Sequence, residues 1–288
     1  MLDERSDSSL RQQPPLRKEK ERIWEIDALR GFLILALLIN HLNLTVHAFC
    51  INGYYNIDSS VWASVTDPLH VWYTYDANGV LQSAQWVVRL RAICNRPGVN
   101  TFFLLSGICC VFSRDNLRRG IRMLLAAFLV SGFTKLLALW TGDDSQFIRF
   151  GALQCYAYCY LIYHFLLENK KSKTLLWVSL PVFIIGYYLR YFPVSSDISL
   201  LVPFGIRERD VSMRDYWPLF PMLGWMLVGV VLGRKFYTDK KSLWPSALAM
   251  RITRPLQWLG RYSGPIYLLH ILIYTAVFCG IGWIFNLF

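Results

Sequence analysis

Apolar blocks close to the length of a membrane crossing recur along this sequence, separated by short basic or polar turns. That spacing dictates the solvent. A helix rises about 1.5 Å per residue, so about twenty apolar residues span the hydrocarbon core of a bilayer. Across its 288 residues the chain is 55% hydrophobic and 16% aromatic, with a mean hydropathy of +0.33. Soluble domains lie nearer an apolar share of about 45–50%. Only helices and closed barrels satisfy their backbone in lipid, and these blocks have helical length. The sequence reads as an all-α, polytopic transmembrane bundle of about seven spanning helices.

Residues 1–22 are polar and rich in Arg, Lys and Gln, with too little apolar surface to fold alone, and read as a disordered cytosolic tail. Residues 23–288 read as a single transmembrane domain. Its first apolar run is too long for a signal-peptide core and carries no small-residue cleavage site after it. Spans are expected over residues 26–50 and 99–112, then in a third block ending near Trp140. Further spans are expected over 150–167, 175–192 and 216–232, with the last from Pro265 onwards. The segment 51–97 is too polar to cross, and Trp86 to Ile93 within it suits an interfacial position. A basic connection, Arg234 to Arg261, contains a short amphipathic piece around Leu256 to Leu259.

The formal net charge of +11 raises the question of nucleic acid, and its placement answers it. With the N-terminus inside, twenty Lys and Arg fall on the inner side and eight on the outer. That bias sets the N-terminus in the cytosol and explains the basic charge by topology, so no nucleic-acid partner is expected. The expected location is the cell membrane, as a multi-pass protein among membrane lipids. Of the seven cysteines, only Cys50 and Cys94 fall outside apolar runs. Both lie on the outer side, where they could pair or remain two unrelated thiols.

Polar groups at membrane depth are costly and tend to mark function. The first span carries three of them. Arg30 and His41 are eleven positions apart, which at about 100° per residue puts them on one helix face, about 16 Å apart in height. Asp27 falls within about 60° of both, whereas Asn40 is expected to point almost the opposite way. An imidazole suits a base or nucleophile near pH 7 because its ordinary pKa is about 6.5. The alternative is a packing histidine with an Asp27–Arg30 pair anchoring the interface.

The stretch Arg22-Ile-Trp-Glu-Ile-Asp-Ala-Leu-Arg-Gly-Phe, with His41 downstream, resembles the opening of the bacterial heparan-α-glucosaminide N-acetyltransferase-like membrane proteins. It is also similar to the first-helix Arg-x10-His motif of acyltransferase family 3. Phe103-Leu-Leu-Ser-Gly107, Asp215-Tyr-Trp-Pro-Leu-Phe-Pro221 and the stretch from Arg254 to His270 carry the likeness further. The sequence departs from the pattern at Gln154, in a segment where related chains often have a histidine. The outer loop around the mammalian enzyme's active histidine is not recognisable here.

The resemblance implies transfer of an acyl group, acetyl or another, from cytosolic acyl-CoA to a sugar or glycan hydroxyl or amine. On that reading His41 is the base or acyl carrier, and Asp27 and Arg30 set the inner mouth. Arg30, Arg119, Arg122 and Arg261 are candidates for the CoA phosphates, because a guanidinium offers a fork of donors, although topology alone also explains basic turns. His270 would touch the thioester end of CoA or support the cavity. Asp215 and Tyr216 at the outer mouth are candidates for the acceptor, with an interfacial aromatic belt as the alternative. Lys135 is expected to snorkel outward. His47 and His70 show no ligand pattern, and no metal spacing, phosphate loop or internal repeat appears. A carrier for a lipid-linked sugar, without acyl transfer, is the competing class. Gly-containing helices permit a homodimer without demanding one.

Overall fold

The computed structural model describes residues 22–46, 73–75, 81–83, 97–142, 144, 147–209, 215–238, 240–244 and 246–285. The tail before Arg22, the Trp86–Ile93 segment and residues His47, Cys50, His70 and Cys94 lie outside them.

Each apolar block of the described chain is a helix. These are α1 (Trp24–Val46), α2 (Val99–Phe112), α3 (Asn116–Thr141) and α4 (Ala152–Ile162), which continues as a wide helical turn over Tyr163–Leu167. Then follow α5 (Ser172–Tyr191), α6 (Leu219–Phe236), α7 (Ala247–Ile252), α8 (Arg254–Arg261) and α9 (Ser263–Ile284). The helices α3, α5, α6 and α9 are long and apolar enough to cross a membrane, while α2 and α4 are shorter apolar helices. Short strand pairs join Tyr73–Tyr75 with Leu81–Ser83, and Ser195–Ser196 with Arg207–Glu208.

Local chemistry sets the ends. The Asp115 carboxylate accepts from the Arg118 N–H at 2.7 Å to open α3, and Gly142, at φ +69°, closes it. The sixth apolar block begins as a helix at Leu219, three residues later than the hydropathy suggests. Trp217 precedes Pro218, and a residue before proline is pushed to extended backbone. The amphipathic piece expected in the basic connection is α8, with Pro255 in its first turn. Lys135 reaches out of α3 towards the turn beyond it, with Nζ 3.9 Å from Asp144 and 5.0 Å from the Phe147 ring.

Lipid tails are as apolar as leucine, so helices associate there through close packing rather than hydrophobic expulsion. Two crossings show the consequence. At the α2–α6 crossing, a Cβ on Gly107 would meet the Met226 carbonyl oxygen at 1.9 Å, and one on Gly229 the Leu104 oxygen at 1.9 Å. At the α1–α8 crossing, Gly31 lies as closely on Leu256 and Gly260 on Asp27. The main core is formed by α2, α4, α5 and α6, with Phe103, Cys155, Leu175, Met226 and Leu227 fully buried. A second cluster, containing Ile23, Ile26, Leu105, Ile108 and Tyr237, ties the first turn of α1 to α2 and α6. The outward faces of α3 and α5 remain apolar; Leu129 is 75% exposed and Ile184 62%. Apolar faces of that extent fit lipid, not water.

Candidate active site

A cavity of about 1140 Å³ separates α1 and α9 from α2, α3 and α4. That is above the usual range for small-molecule sites, about 300–1,000 Å³. Its wall starts among cations at the N-terminal end of α1, with Arg22, Arg30, Arg114, Arg119 and Lys240. It continues past Cys109, Ser106 and Tyr160 to Asn40, His41, Thr101, Tyr156, Asp215 and Trp217. The stripe read from the first span, Asp27, Arg30 and His41, lies along this wall.

Asp27 is 6% exposed and does not stand alone. Its Oδ2 lies 2.9 Å from the Nε of Arg22 and 3.7 Å from that of Arg261. A buried carboxylate is costly unless paired, and these two guanidinium groups supply the pairing. From Asp27 to His41 is fourteen residues, about 21 Å of helix, so Asp27 belongs to the cationic mouth and not to the ring's surroundings. Arg30 donates from Nη2 to Ser263 Oγ at 2.7 Å, which fixes the guanidinium against the first turn of α9. Arg119 is half-buried, donates to the Cys109 carbonyl at 3.4 Å, and sits 5.5 Å from the centre of the Tyr160 ring. Arg261 is exposed apart from its contact with Asp27, and Arg122 is exposed on α3; neither lines the cavity.

His41 meets His270 across the α1–α9 contact. Nδ1 of His41 lies 2.5 Å from Nε2 of His270, and the rings are 4.8 Å apart and nearly parallel. His270 is 4% exposed and lies behind the cavity wall, with Tyr267 and Tyr274 on either side. Its own Nδ1 is 2.7 Å from the Tyr267 carbonyl oxygen.

At the far end Asp215 reaches the start of α4, where its Oδ2 accepts from the Ala152 N–H at 3.1 Å. Gly151 makes room, because a Cβ there would come within 2.4 Å of that oxygen. Burial pushes the Asp215 carboxyl above the usual carboxylate range, and the Ala152 N–H and the Trp217 side chain pull it partly back. Tyr216 points away from the cavity, donating to the Val202 carbonyl at 2.8 Å beneath Arg207. Burial raises its phenol to about 12.

Sequence reasoning missed Asn40, Trp217, Ser263 and Tyr267 in this wall. For Trp217 a signal was present: an extended chain alternates its side chains, so Asp215 and Trp217 share one side and Tyr216 takes the other. Asn40 had none, since its phase on α1 differs by about 100° from that of His41 and only the breadth of the cavity includes it. Gln154, where a histidine was expected from related chains, holds structure. It accepts from the Gly151 N–H at 2.9 Å and donates to Ser131 at 2.5 Å. Among the described residues no group of three or more His, Cys, Asp or Glu could hold a metal ion, and five cysteines are free thiols.

Fold and cavity together define a helical membrane protein with one elongated site, cationic at one end and lined by a histidine pair and a carboxylate further along. The chain belongs to the family described as heparan-alpha-glucosaminide N-acetyltransferase, catalytic, whose sequence profile matches residues 68–272. It is therefore a member of a membrane acetyltransferase family. The matched span holds Arg119, Arg122, Asp215, Tyr216, Arg261 and His270, and leaves α1 outside. Searches of curated proteins and of solved structures found no significant match.

Proposed function

We propose that this chain is an acyltransferase of the cell membrane, moving an acyl group, acetyl first among candidates, from cytosolic acyl-CoA to a sugar or glycan acceptor. The supporting observation is a cavity that has Arg30 and Arg119 at one end and His41 and Asp215 further along. Guanidinium groups suit phosphate, so the nucleotide end of CoA belongs at the cationic mouth. An extended pantetheine arm then covers the offset of about 16 Å along α1 to bring the thioester to His41.

His41 acts as the base. It takes the proton of the acceptor hydroxyl or amine as that oxygen or nitrogen bonds to the thioester carbonyl carbon. The C–S bond breaks, the proton passes from the ring to the departing sulfur, and free CoA thiol and acylated acceptor result. Asp27 and Arg30 hold the mouth, while Asp215 and Trp217 receive the acceptor, a carboxylate beside an aromatic face being suited to a sugar. The topology that serves this reading is seven crossings with the N-terminus cytosolic, so that acyl-CoA enters from inside.

The test is thiol release from acetyl-CoA by the full chain in lipid nanodiscs, with and without amino-sugar acceptors. His41→Ala is expected to abolish acceptor-dependent release while acetyl-CoA binding persists. Full turnover in His41→Ala removes the base assignment. Sugar movement across vesicles with no thioester consumed would favour a carrier instead.

A further inference from the structure

The contacts around His270 determine more than its position. A backbone carbonyl can only accept, so the 2.7 Å contact with the Tyr267 oxygen requires the proton of His270 on Nδ1. No ion pair of His270 occurs among the described residues, and it is 4% exposed. A second ring proton would therefore bury an uncompensated charge. With one proton on Nδ1, Nε2 of His270 is an acceptor. The 2.5 Å contact then needs a donor, which is Nδ1–H of His41. As the base of the proposed reaction His41 is neutral and has one N–H, so its lone pair is on Nε2.

We propose that His270 is a positioning residue: through the Tyr267 carbonyl and its own Nε2 it fixes the tautomer of His41, leaving Nε2 of His41 as the proton-accepting atom. The inference rests on the reading of His41 as the base and adds which ring nitrogen does the work and what selects it. The other neutral tautomer of His41 would turn a lone pair towards Nε2 of His270 and lose the contact, and a base held in the wrong tautomer loses heavily; in the best-studied catalytic triad the loss is about 10⁴ in kcat. Tyr274 steadies the pair, its ring 5.8 Å from that of His270 and its hydroxyl donating to the Leu38 carbonyl of α1 at 3.2 Å. When His41 takes the acceptor's proton on Nε2, the Nδ1–H···Nε2 contact to His270 persists, now charge-assisted.

Two substitutions separate this role from packing. His270→Gln keeps an acceptor near the former Nε2; His270→Phe keeps a ring and removes the acceptor. His270→Phe is expected to lower kcat by about 100-fold or more with the KM for acetyl-CoA unchanged, and His270→Gln to recover about tenfold or more of that loss. Equal loss in both variants, or full activity in His270→Phe, overturns the inference. A second readout is independent of turnover: nitrogen NMR of the full chain carrying ¹⁵N-histidine, with resonances assigned from His41→Ala and His270→Gln. Both rings are expected to carry Nδ1–H and an unprotonated Nε2. A protonated Nε2 on His41 at neutral pH overturns the proposal even if the enzyme is active. The expected tautomer in a chain that transfers no acyl group would instead leave the pairing standing and remove the acyltransferase reading.

Discussion

Gly260 of α8 lies on the backbone of Asp27 so closely that a Cβ would be 1.8 Å from the Asp27 carbonyl oxygen. The contact is reciprocal, because Gly31 of α1 meets Leu256 of α8 at the same 1.8 Å. Two helices so close cannot both keep their axes if either glycine gains a methyl group. The same crossing brings Arg261 to Asp27 and so shapes the cationic mouth.

Gly260→Ala is expected to force α8 away from α1 and to destabilise the protein by about 1–3 kcal/mol, the usual range for overpacking. Thermal unfolding in detergent checks this, with Gly132→Ala as the comparison. Gly132 has open space around it and should tolerate the change. Equal melting temperatures for the two variants would contradict the close crossing.

Arg119 marks the opposite wall of the mouth, tied to the Cys109 carbonyl and the Tyr160 ring. If it meets a CoA phosphate, Arg119→Gln should raise the KM for acetyl-CoA by roughly tenfold and leave kcat nearly unchanged, since a charge-assisted bond contributes about 1.5–3 kcal/mol. Arg122→Gln, on an exposed position outside the cavity, should change neither. Steady-state kinetics with acetyl-CoA varied distinguishes the two sites.

Asp215 gives a pH signature. Burial raises its carboxyl in the folded protein above the unfolded value, which is about 3.9. Its contribution to stability is then fully present below the unfolded pKa and is lost as pH rises through the folded one. The melting temperature of the wild type minus that of Asp215→Asn should therefore fall from acid pH towards neutral. A flat or rising difference would show that the carboxylate is well solvated.

Gln154 joins the start of α4 to α3 through the Gly151 N–H and the Ser131 hydroxyl. Gln154→Leu leaves the buried Gly151 N–H without its acceptor, while Ser131 keeps its bond to the Ile148 carbonyl, and should cost about 1–3 kcal/mol, read by thermal unfolding. Because Gln154 does not line the cavity, the KM for acetyl-CoA should hold in the folded fraction. A large change in KM with unchanged stability would assign it to the site after all.

Much of the fold was legible in the residues. The block Val99–Phe112 is a helix over the whole of its expected length and ends where Ser113 turns extended, whereas the break expected at Pro97-Gly98 is itself helical, with Gly98 at φ −62° and ψ −48°. The stripe of Asp27, Arg30 and His41 follows from helical periodicity alone and lies on one cavity wall. Local signals suffice where a property depends on neighbours three or four residues away. The roles of Tyr216 and Gln154 were not legible, because a tyrosine that clamps Val202 and a glutamine that bonds Ser131 take their meaning from other elements.

The sequence by itself determined that the chain is a set of apolar helices with basic turns and that its first helix carries charge and an imidazole on one face. Hydropathy and periodicity are properties of contiguous residues, and no partner is needed to read them. Only the tertiary structure decided that His41 faces His270 across 229 positions, that Arg30 is held by Ser263, and that Trp217 shares a wall with Asn40. Those meetings follow from where the helices cross, and glycines such as Gly31 and Gly260 set the crossings by letting two backbones touch, a condition that neither helix carries alone.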